Sequence, residues 1–469
     1  MSSMLPASHN RWKNLALLCP ILFIIIGSLF WLALQPDLRL VVPEVIGVCA
    51  LCVVALGVLL FFCERGLIRC PTLLILIVAL LLRLFFVAGP PQLSDDLYRY
   101  LWDGQQLRQG GNPYAAAPAV ASASIEQEAI RGKINHPELV TIYPPAAQLL
   151  FGVGTLFGNG ASGFKLFLVL LDLLMCMVLL RLLAVLHRPP WWVILYAWNP
   201  LPILEIASSG HIDGAAALLL LAAVLLLIRK NDNNPEQGQR VAVNLGRSQR
   251  SAPTAISQWL AGGLFGAAVL VKLLPLVFLP ALLLLCRGVW RFFLGGVSLC
   301  TLLLCLLFWP ELTNGLATLD LYLRNWEFAG FAFHLLRDLT SGGTARLLLA
   351  GTFVLTAAGL YLRAWRQNTP FAVIEVSYSL ALVFLLLTTT LHPWYALYLA
   401  ALLPLAGGPA GIVLCWSVLL GYQVLIPYAI LGQWQEQTWV GGAIVSAPFC
   451  ALLGGLLAAR WLRSSAHAR

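Results

Sequence analysis

The chain has 469 residues, of which 60% are hydrophobic and only 10% are charged. Soluble domains carry about a quarter charged residues, so this composition excludes an ordinary soluble globular protein. The net charge of +9 is spread over short loops and forms no basic stripe, which argues against a nucleic-acid partner. Because apolar runs recur along the chain, we predict an all-α integral membrane protein, a polytopic bundle of about 14 helices (13–14) with a large outer-face loop.

The basic loops indicate how the chain crosses the membrane. With the N-terminus in the cytoplasm, these loops fall on the cytoplasmic side, as the positive-inside rule requires. The 11 cysteines lie in or beside apolar runs and predict neither a disulfide framework nor a metal site. Further spans follow the first apolar run at once, so we interpret that run as a retained helix and not as a cleaved signal peptide.

Three helices begin the chain, at roughly residues 14–35, 41–62 and 70–88. The polar segment after them has proline and glycine breaks, which predict a loop with short helices of its own. Its last apolar run, roughly 146–158, is too short to span comfortably and is interpreted as an interfacial helix. Later helices are predicted at roughly 164–187, 190–207, 212–229, 257–271, 273–286, 290–309, 346–364, 371–391, 394–407, 410–430 and 438–461.

These elements predict seven divisions of the chain. They are N-terminal transmembrane helices (1–88), a catalytic outer-face loop with interfacial helices (89–163), transmembrane helices (164–229), a cytoplasmic linker (230–256), transmembrane helices (257–309), a second outer-face loop (310–345) and C-terminal transmembrane helices (346–469). The linker is rich in Asn, Gln, Arg and Ser, a composition typical of a flexible segment.

The paired acids Asp95 and Asp96 are the strongest candidates for chemistry. If their segment is helical, Asp96, Arg99 and Asp103 share one face, at the membrane surface. Two adjacent carboxylates near a low-dielectric boundary raise one another's pKa, which suits one of them to accept a proton from a sugar hydroxyl. The alternative is a solvated acidic helix start. Nearby aromatic residues favour sugar binding, although they also suit a membrane interface, namely Tyr98, Tyr100, Trp102 and Tyr114.

Further polar residues fall on the same predicted face. Tyr143 precedes two prolines that stiffen the entry to the interfacial helix. His211 and Asp213 lie in a tight turn that needs only Gly and Ser, so a functional role competes with a satisfied interfacial pair. His392 begins an outer turn, where phosphate or sugar binding competes with a plain helix break. Three cations could meet a lipid phosphate or merely snorkel, namely Lys272, Arg83 and Arg324. Three acids in apolar surroundings receive no role, namely Asp172, Glu205 and Glu375.

Together these motifs resemble the glycosyltransferase-C superfamily of integral-membrane enzymes, over about residues 70 to 400. The combination looks most like the bacterial polyprenol-phosphate-mannose-dependent mannosyltransferases and, more distantly, the first mannosyltransferase of glycolipid-anchor assembly. The motifs occur in the same order, namely Asp95-Asp96, Tyr98-Arg99-Tyr100-Leu101-Trp102-Asp103-Gly104, Gly111-Asn112-Pro113-Tyr114, Tyr143-Pro144-Pro145, Gly210-His211-Ile212-Asp213, Lys272-Leu273-Leu274-Pro275 and His392-Pro393-Trp394-Tyr395.

The resemblance implies an inverting transfer of a hexose, above all mannose, from a polyprenyl-phosphate donor. Asp95 and Asp96 are the implied catalytic pair, with Asp95 slightly favoured as the base. The implied substrate-binding residues are Tyr98, Arg99, Trp102, Asp103, Asn112, Tyr114, Tyr143, His211, Asp213 and Trp394. The implied ligands of the donor phosphate are Lys272, Arg83, Arg324 and His392. No cofactor or metal is required, although Asp95, Asp96 and Asp213 would together suit Mg²⁺ or Mn²⁺.

The expected partners are the lipid-linked donor, membrane lipid and a glycolipid, glycan or protein acceptor. The expected location is a bacterial inner membrane, with the active site on the periplasmic side. The main alternative is a transporter or flippase of a lipid-linked sugar, which would also have many helices and few buried charges. Transporters concentrate their substrate groups near the bilayer midplane. The candidate residues instead fall on one face, which favours an enzyme. A scaffold subunit would leave His211, Asp213 and Lys272 unexplained.

Overall fold

A computed structural model describes residues 7–228, 254–286 and 289–467. Helices dominate, and the described part holds no strand beyond isolated bridges from Phe328 and Ala329 to Thr390. The expected all-α membrane class is confirmed. The predicted cytoplasmic linker lies outside the described residues up to position 253.

Nineteen α-helices of seven or more residues are formed by the described residues. In chain order they are α1 (Ala7–Ala33), α2 (Val42–Glu64), α3 (Thr72–Val87), α4 (Asp96–Arg108), α5 (Ile125–Arg131), α6 (Pro145–Gly154), α7 (Ala161–Val185), α8 (Asp213–Ile228), α9 (Ala255–Val271), α10 (Leu279–Leu285), α11 (Trp290–Leu307), α12 (Leu312–Asn325), α13 (Phe331–Leu339), α14 (Gly342–Gln367), α15 (Pro370–Leu387), α16 (Leu397–Ala406), α17 (Pro409–Ser417), α18 (Leu425–Leu431) and α19 (Thr438–His467).

Within the described residues, eight helical segments are long and apolar enough to cross a membrane, or nine if one strongly bent pair forms a single span. Five shorter apolar helices of 10–17 residues accompany them, among them α3, α9 and the segment that begins with α6. The prediction of about 14 membrane helices therefore stays a prediction, because length alone does not assign the short ones.

The predicted helix at 190–207 is wrong as a continuous element. Its prolines lack the N–H that an α-helix requires, and the chain forms short turns followed by a wide π-helix, Ile203–Ser208. The segment Pro200–Ser208, which ends with this π-helix, meets α8 at a bend of 119°. Gly210 makes the turn possible with a φ of +86°, a conformation that favours glycine, and Leu97 lies against it. The bend places residues 208–213 inside the bundle.

Two hydrogen bonds of connecting segments identify the two ends of the bundle. At one end, the backbone N–H of Arg69 donates to Asn14 Oδ1 at 2.6 Å. At the opposite end of α1, the backbone N–H of Leu38 donates to Gln92 Oε1 at 3.0 Å. The connector after α1 therefore contacts the loop that begins after α3.

The two large loops, residues 88–144 and 308–341, pack against each other at this second end, which we call the large-loop end. Asn314 Nδ2 donates to the carbonyl oxygen of Tyr114 at 3.0 Å, and Asn112 Nδ2 donates to Glu311 Oε2 at 3.2 Å. The ring of Tyr114 packs edge-on against Phe308. The second loop is itself helical and consists largely of α12 and α13.

Candidate active site

A cavity of about 930 Å³ lies at the large-loop end. Its walls come from the connector after α1, the start of α4, the segment before α6, the start of α8, the turn after α9, and α12. The connectors before α16 and the region of α18 complete it. Eight of the predicted site residues line this cavity, namely Asp95, Asp96, Arg99, Tyr143, Asp213, Lys272, His392 and Trp394.

Asp95 and Asp96 stand at the N-terminus of α4, where helix dipoles favour negative charge. Their side chains are 30% and 26% exposed, so both are partly removed from water. Burial raises the pKa of both carboxyls above its usual range. Lys272 opposes the increase in the pKa of Asp96, and Arg39 opposes it for Asp95. Each aspartate therefore has its own neighbouring cation.

The carboxylate of Asp96 has polar neighbours on the segment before α6 and in the turn before α8. The hydroxyl of Tyr143 donates to Asp96 Oδ2 at 3.1 Å, and the hydroxyl of Tyr100 lies 3.3 Å from that of Tyr143. Nδ1 of His211 lies 3.9 Å from the same Asp96 oxygen. The two prolines after Tyr143 begin α6 and so fix where its ring stands.

Lys272 ends α9 in an extended conformation, at the predicted junction of two short helices. Its ammonium lies 3.6 Å from Asp213 Oδ2, and the Asp213 side chain is only 1% exposed. The same ammonium lies 5.1 Å from the ring centre of Tyr143 and 5.9 Å from that of Tyr395, within the range of cation–π attraction. The cation is thus held at the cavity by a buried carboxylate and two aromatic faces.

Four stacked rings form one side of the site. The ring centres of His211 and Trp394 lie 4.0 Å apart, and those of Trp394 and His392 lie 4.2 Å apart. The ring of Phe328 continues the stack, with its centre 4.8 Å from that of His392. Burial, together with the nearby ammonium of Lys272, lowers the pKa of His392 to about 3. His392 is therefore neutral near pH 7 and can offer one N–H as a donor.

Two predicted phosphate ligands lie away from the cavity. Arg83 is fully buried and paired with Asp172, and it also donates to the carbonyl oxygen of Ala197 at 2.7 Å. Arg324 is 74% exposed and paired with Asp320 on the surface of α12. Neither placement supports phosphate binding. The Arg83 guanidinium is already paired inside the bundle, and the Arg324 guanidinium is exposed on the surface of α12.

Arg99 and Asp103 share one face of α4, as predicted. Arg99 Nε donates to Asp103 Oδ1 at 3.0 Å, and Arg99 Nη1 donates to the carbonyl oxygen of Leu139 at 3.0 Å. Gln148 of α6 reaches the other oxygen of Asp103 at 3.3 Å. Asp103 is buried and does not line the cavity, so these contacts tie α4 to α6 and to the large loop.

The remaining predicted residues stabilise the loop around the site. The backbone N–H of Tyr114 donates a hydrogen bond to Asn112 Oδ1 at 3.0 Å. The Tyr114 hydroxyl donates to the carbonyl oxygen of Tyr143 at 2.6 Å. Tyr114 thereby supports the backbone that carries Tyr143. Two other rings lie beneath cations of the same loop. Arg131 lies over the ring of Trp102, and Lys133 lies over the ring of Tyr98. None of these four residues lines the cavity.

Residues 32–288 match the family described as alpha-(1->6)-mannopyranosyltransferase, N-terminal domain (MptA_B family). This match covers more than half of the 469 residues. The chain belongs to that family. It is therefore a glycosyltransferase of a mannosyltransferase family, of the glycosyltransferase-C type, and the predicted resemblance is confirmed. No curated protein and no solved structure matches the chain.

The family match contains most of the site of this glycosyltransferase. It includes Asp95, Asp96 and Lys272, whereas His392 and Trp394 lie beyond its end. Among the described residues, no group of three or more His, Cys, Asp or Glu side chains is arranged to hold a metal ion. A Mg²⁺ or Mn²⁺ ion at Asp95, Asp96 and Asp213 therefore stays a prediction.

Arg39 is the cavity residue that sequence reasoning missed most clearly. Its Nη1 lies 3.9 Å from Asp95 Oδ1, and its guanidinium also pairs with Asp37 at 2.9 Å. A signal was present, because the predicted topology places Arg39 in a short outer-face connector, where the positive-inside rule disfavours a basic residue. Six aromatic lining residues also had no predicted role, namely Tyr322, Trp326, Phe328, Tyr422, Tyr428 and Trp434.

Proposed function

We propose that the chain is an inverting glycosyltransferase that moves mannose from a polyprenyl-phosphate carrier to an acceptor hydroxyl. The reaction takes place on the non-cytoplasmic face of a bacterial inner membrane. The observation that carries this proposal is one cavity shared by two partly buried carboxylates and a lysine held beside a third. Such a site can accept a proton at one point and stabilise a departing phosphate at another.

One carboxylate of the pair Asp95 and Asp96 takes the proton of the acceptor hydroxyl. The acceptor oxygen then bonds to the anomeric carbon of mannose, and the bond from that carbon to the phosphate oxygen breaks. The phosphate leaves with the bonding electrons, so the configuration at the anomeric carbon inverts. The raised pKa of both carboxyls favours proton uptake, since a base works best when its pKa approaches the working pH.

The departing phosphate needs positive charge and hydrogen-bond donors. Lys272 supplies an ammonium at the cavity, and neutral His392 supplies an N–H from the ring stack. Asp213 holds the ammonium before the donor arrives, so little reorganisation is needed when charge develops on the phosphate. Of the four phosphate ligands expected from the sequence, these are the two that line the cavity.

An apolar wall beside Lys272 suits the isoprenoid part of the donor. Leu273, Leu274 and Val277 follow the lysine directly and line the cavity. Leu273 is 42% exposed and Leu276, on the same turn, is 51% exposed, as expected for a surface in contact with lipid. A phosphate at Lys272 therefore has apolar surface next to it, where burial of an isoprenoid gains about 0.8 kcal/mol per CH₂ group.

The aromatic side of the cavity suits the acceptor. Trp326 and His136 pack edge-on at 5.2 Å, and Tyr322 lies next to Trp326. Aromatic faces bind the apolar faces of sugars, while their polar atoms remain available for hydroxyl groups. We propose a glycan-bearing acceptor here, either a glycolipid, a polysaccharide or a glycoprotein.

A transporter of a lipid-linked sugar is the competing function. The cavity is built from connectors and helix ends at one end of the bundle, whereas a transporter binds its substrate near the midplane. This asymmetry favours an enzyme that works at one interface.

The test uses purified protein in lipid vesicles, with radiolabelled polyprenyl-phosphate β-mannose and a membrane lipid extract. We expect a labelled product that α-mannosidase digests. Movement of the donor across sealed vesicles without a new glycosidic bond would instead establish the transporter.

A further inference from the structure

His211 is a buried side chain without a standard hydrogen bond. It has no exposed surface, and neither ring nitrogen has a partner of ordinary geometry. Its two nearest polar contacts are carboxylates, with Nδ1 3.9 Å from Asp96 Oδ2 and Nε2 3.5 Å from Glu205 Oε2. Because buried polar groups are normally paired, two orphaned nitrogens aimed at two carboxylates point to a contact that closes during the reaction.

Glu205 takes no direct part in the proposed transfer step. It lies in the π-helix before the sharp bend and is fully buried. The hydroxyl of Tyr422 lies 2.8 Å from both of its carboxyl oxygens. A line of polar contacts thus runs from Tyr422 through Glu205 and His211 to Asp96. The imidazole of His211 stacks on Trp394, which fixes the plane of the ring.

The charges around this line restrict where its protons are. An ionised Glu205 beside a neutral His211 would bury a net negative charge next to the acids Asp96 and Asp213, which is unfavourable. In the neutral arrangement in which Glu205 donates its proton to Nε2, the imidazole proton is on Nδ1, which then points at Asp96. The ionisable groups that face this pair are Asp96, Asp213, Lys272, His392, Tyr422 and Cys49.

We propose that Glu205 is a positioning residue for sugar transfer, because it holds His211 in the tautomer whose Nδ1–H donates to Asp96 Oδ2. The inference rests on the proposed function. With substrates bound, Asp96 then has two donors on one oxygen, His211 and Tyr143, and this arrangement fixes the orientation of its carboxylate in the cavity. The role resembles that of an orienting acid behind a histidine, where loss of the correct tautomer slows catalysis strongly.

Two substitutions at the same position test this role. Glu205→Met keeps the volume but has no polar atom, so Nε2 loses its partner. Glu205→Gln keeps a donor, because its amide N–H can meet the lone pair of Nε2 and so preserve the Nδ1–H tautomer. We expect Glu205→Met to lower kcat about 100-fold with little change in KM for polyprenyl-phosphate mannose. We expect Glu205→Gln to stay within about threefold of the wild-type kcat.

The tautomer itself is measured by ¹⁵N NMR of protein labelled at histidine and embedded in lipid, with the His211 signals assigned through their loss in His211→Asn. Wild type and Glu205→Gln should give the Nδ1–H pattern, and Glu205→Met should give the Nε2–H pattern. This readout needs no turnover. If the wild type transfers no mannose, the proposed function fails, and the NMR comparison alone decides the inference.

Two tyrosines offer a matched control. Tyr422→Phe removes the hydroxyl from Glu205, and Tyr196→Phe removes the hydroxyl from Asp172, another buried acid. We expect kcat to fall in Tyr422→Phe by about three- to tenfold and to be unchanged in Tyr196→Phe, with both proteins folded. The inference is overturned if Glu205→Met leaves the His211 tautomer unchanged, or if Glu205→Gln is as slow as Glu205→Met.

Discussion

Lys272→Met removes the ammonium that we assign to the donor phosphate. Loss of one preorganised donor to a developing anion lowers kcat/KM about 10²- to 10³-fold, equivalent to about 3–4 kcal/mol. The same change leaves Asp213 buried without its cation, 3.6 Å away in the wild type. Breaking a buried pair costs about 3–5 kcal/mol of stability, and we expect about 3 kcal/mol because Lys272 is 19% exposed. Transfer assays and thermal unfolding in detergent measure the two effects.

A double variant separates binding from folding. Lys272→Met with Asp213→Asn removes both charges, so the stability should recover while kcat/KM stays low. Asp213→Asn alone is the control, because it shows what the loss of that carboxylate does when the ammonium remains. If the double variant matched Asp213→Asn in kcat/KM, Lys272 would act only through folding, and its assignment to the phosphate would be refuted.

The remaining predictions concern pH and the two cations outside the cavity. Because the base must be ionised and burial raises its pKa, activity should fall on acidification at a pH above the ordinary aspartate value of about 3.9. Arg39→Met should move this acid limb to higher pH if Asp95 is the base, since Arg39 lowers the pKa of Asp95, and pH–rate profiles measure the shift. Tyr143→Phe should move the limb instead if Asp96 is the base. Arg83→Met should destabilise the protein by about 3–5 kcal/mol in thermal unfolding, because it orphans a buried carboxylate. Arg324→Gln should leave stability and transfer rate nearly unchanged, because exposed pairs contribute about 0–1 kcal/mol.

Local sequence patterns predicted the parts of the site that depend on neighbouring residues. The start of α4 at the paired aspartates follows from helical spacing and from the polar segment around it. Lys272 was expected between two short helices because apolar run lengths indicate where helices end. The charge rule also assigned the candidate loops to one face, and those that line the cavity lie at one end of the bundle.

Long-range contacts could not be predicted in the same way. Glu205 contacts Tyr422 across 217 residues, through a π-helix that no periodicity indicates. Arg83 was expected at the phosphate because it lies near the end of a helix. Its actual partner, Asp172, is on another helix, and only packing decides that pairing. Arg39 was missed because a single arginine in a short connector carries no motif, and its only signal is a basic residue on the predicted outer face, where the charge rule disfavours one.

The most direct test of the account is sugar transfer by Asp95→Asn and Asp96→Asn, measured with radiolabelled polyprenyl-phosphate mannose and membrane lipid extract. Both variants keep the side-chain volume and lose the carboxylate. We expect each to fold in membranes and at least one to lose about 10²- to 10⁴-fold in rate, since a positioned base contributes that much. Wild-type turnover in both single variants would contradict the assignment of the catalytic pair.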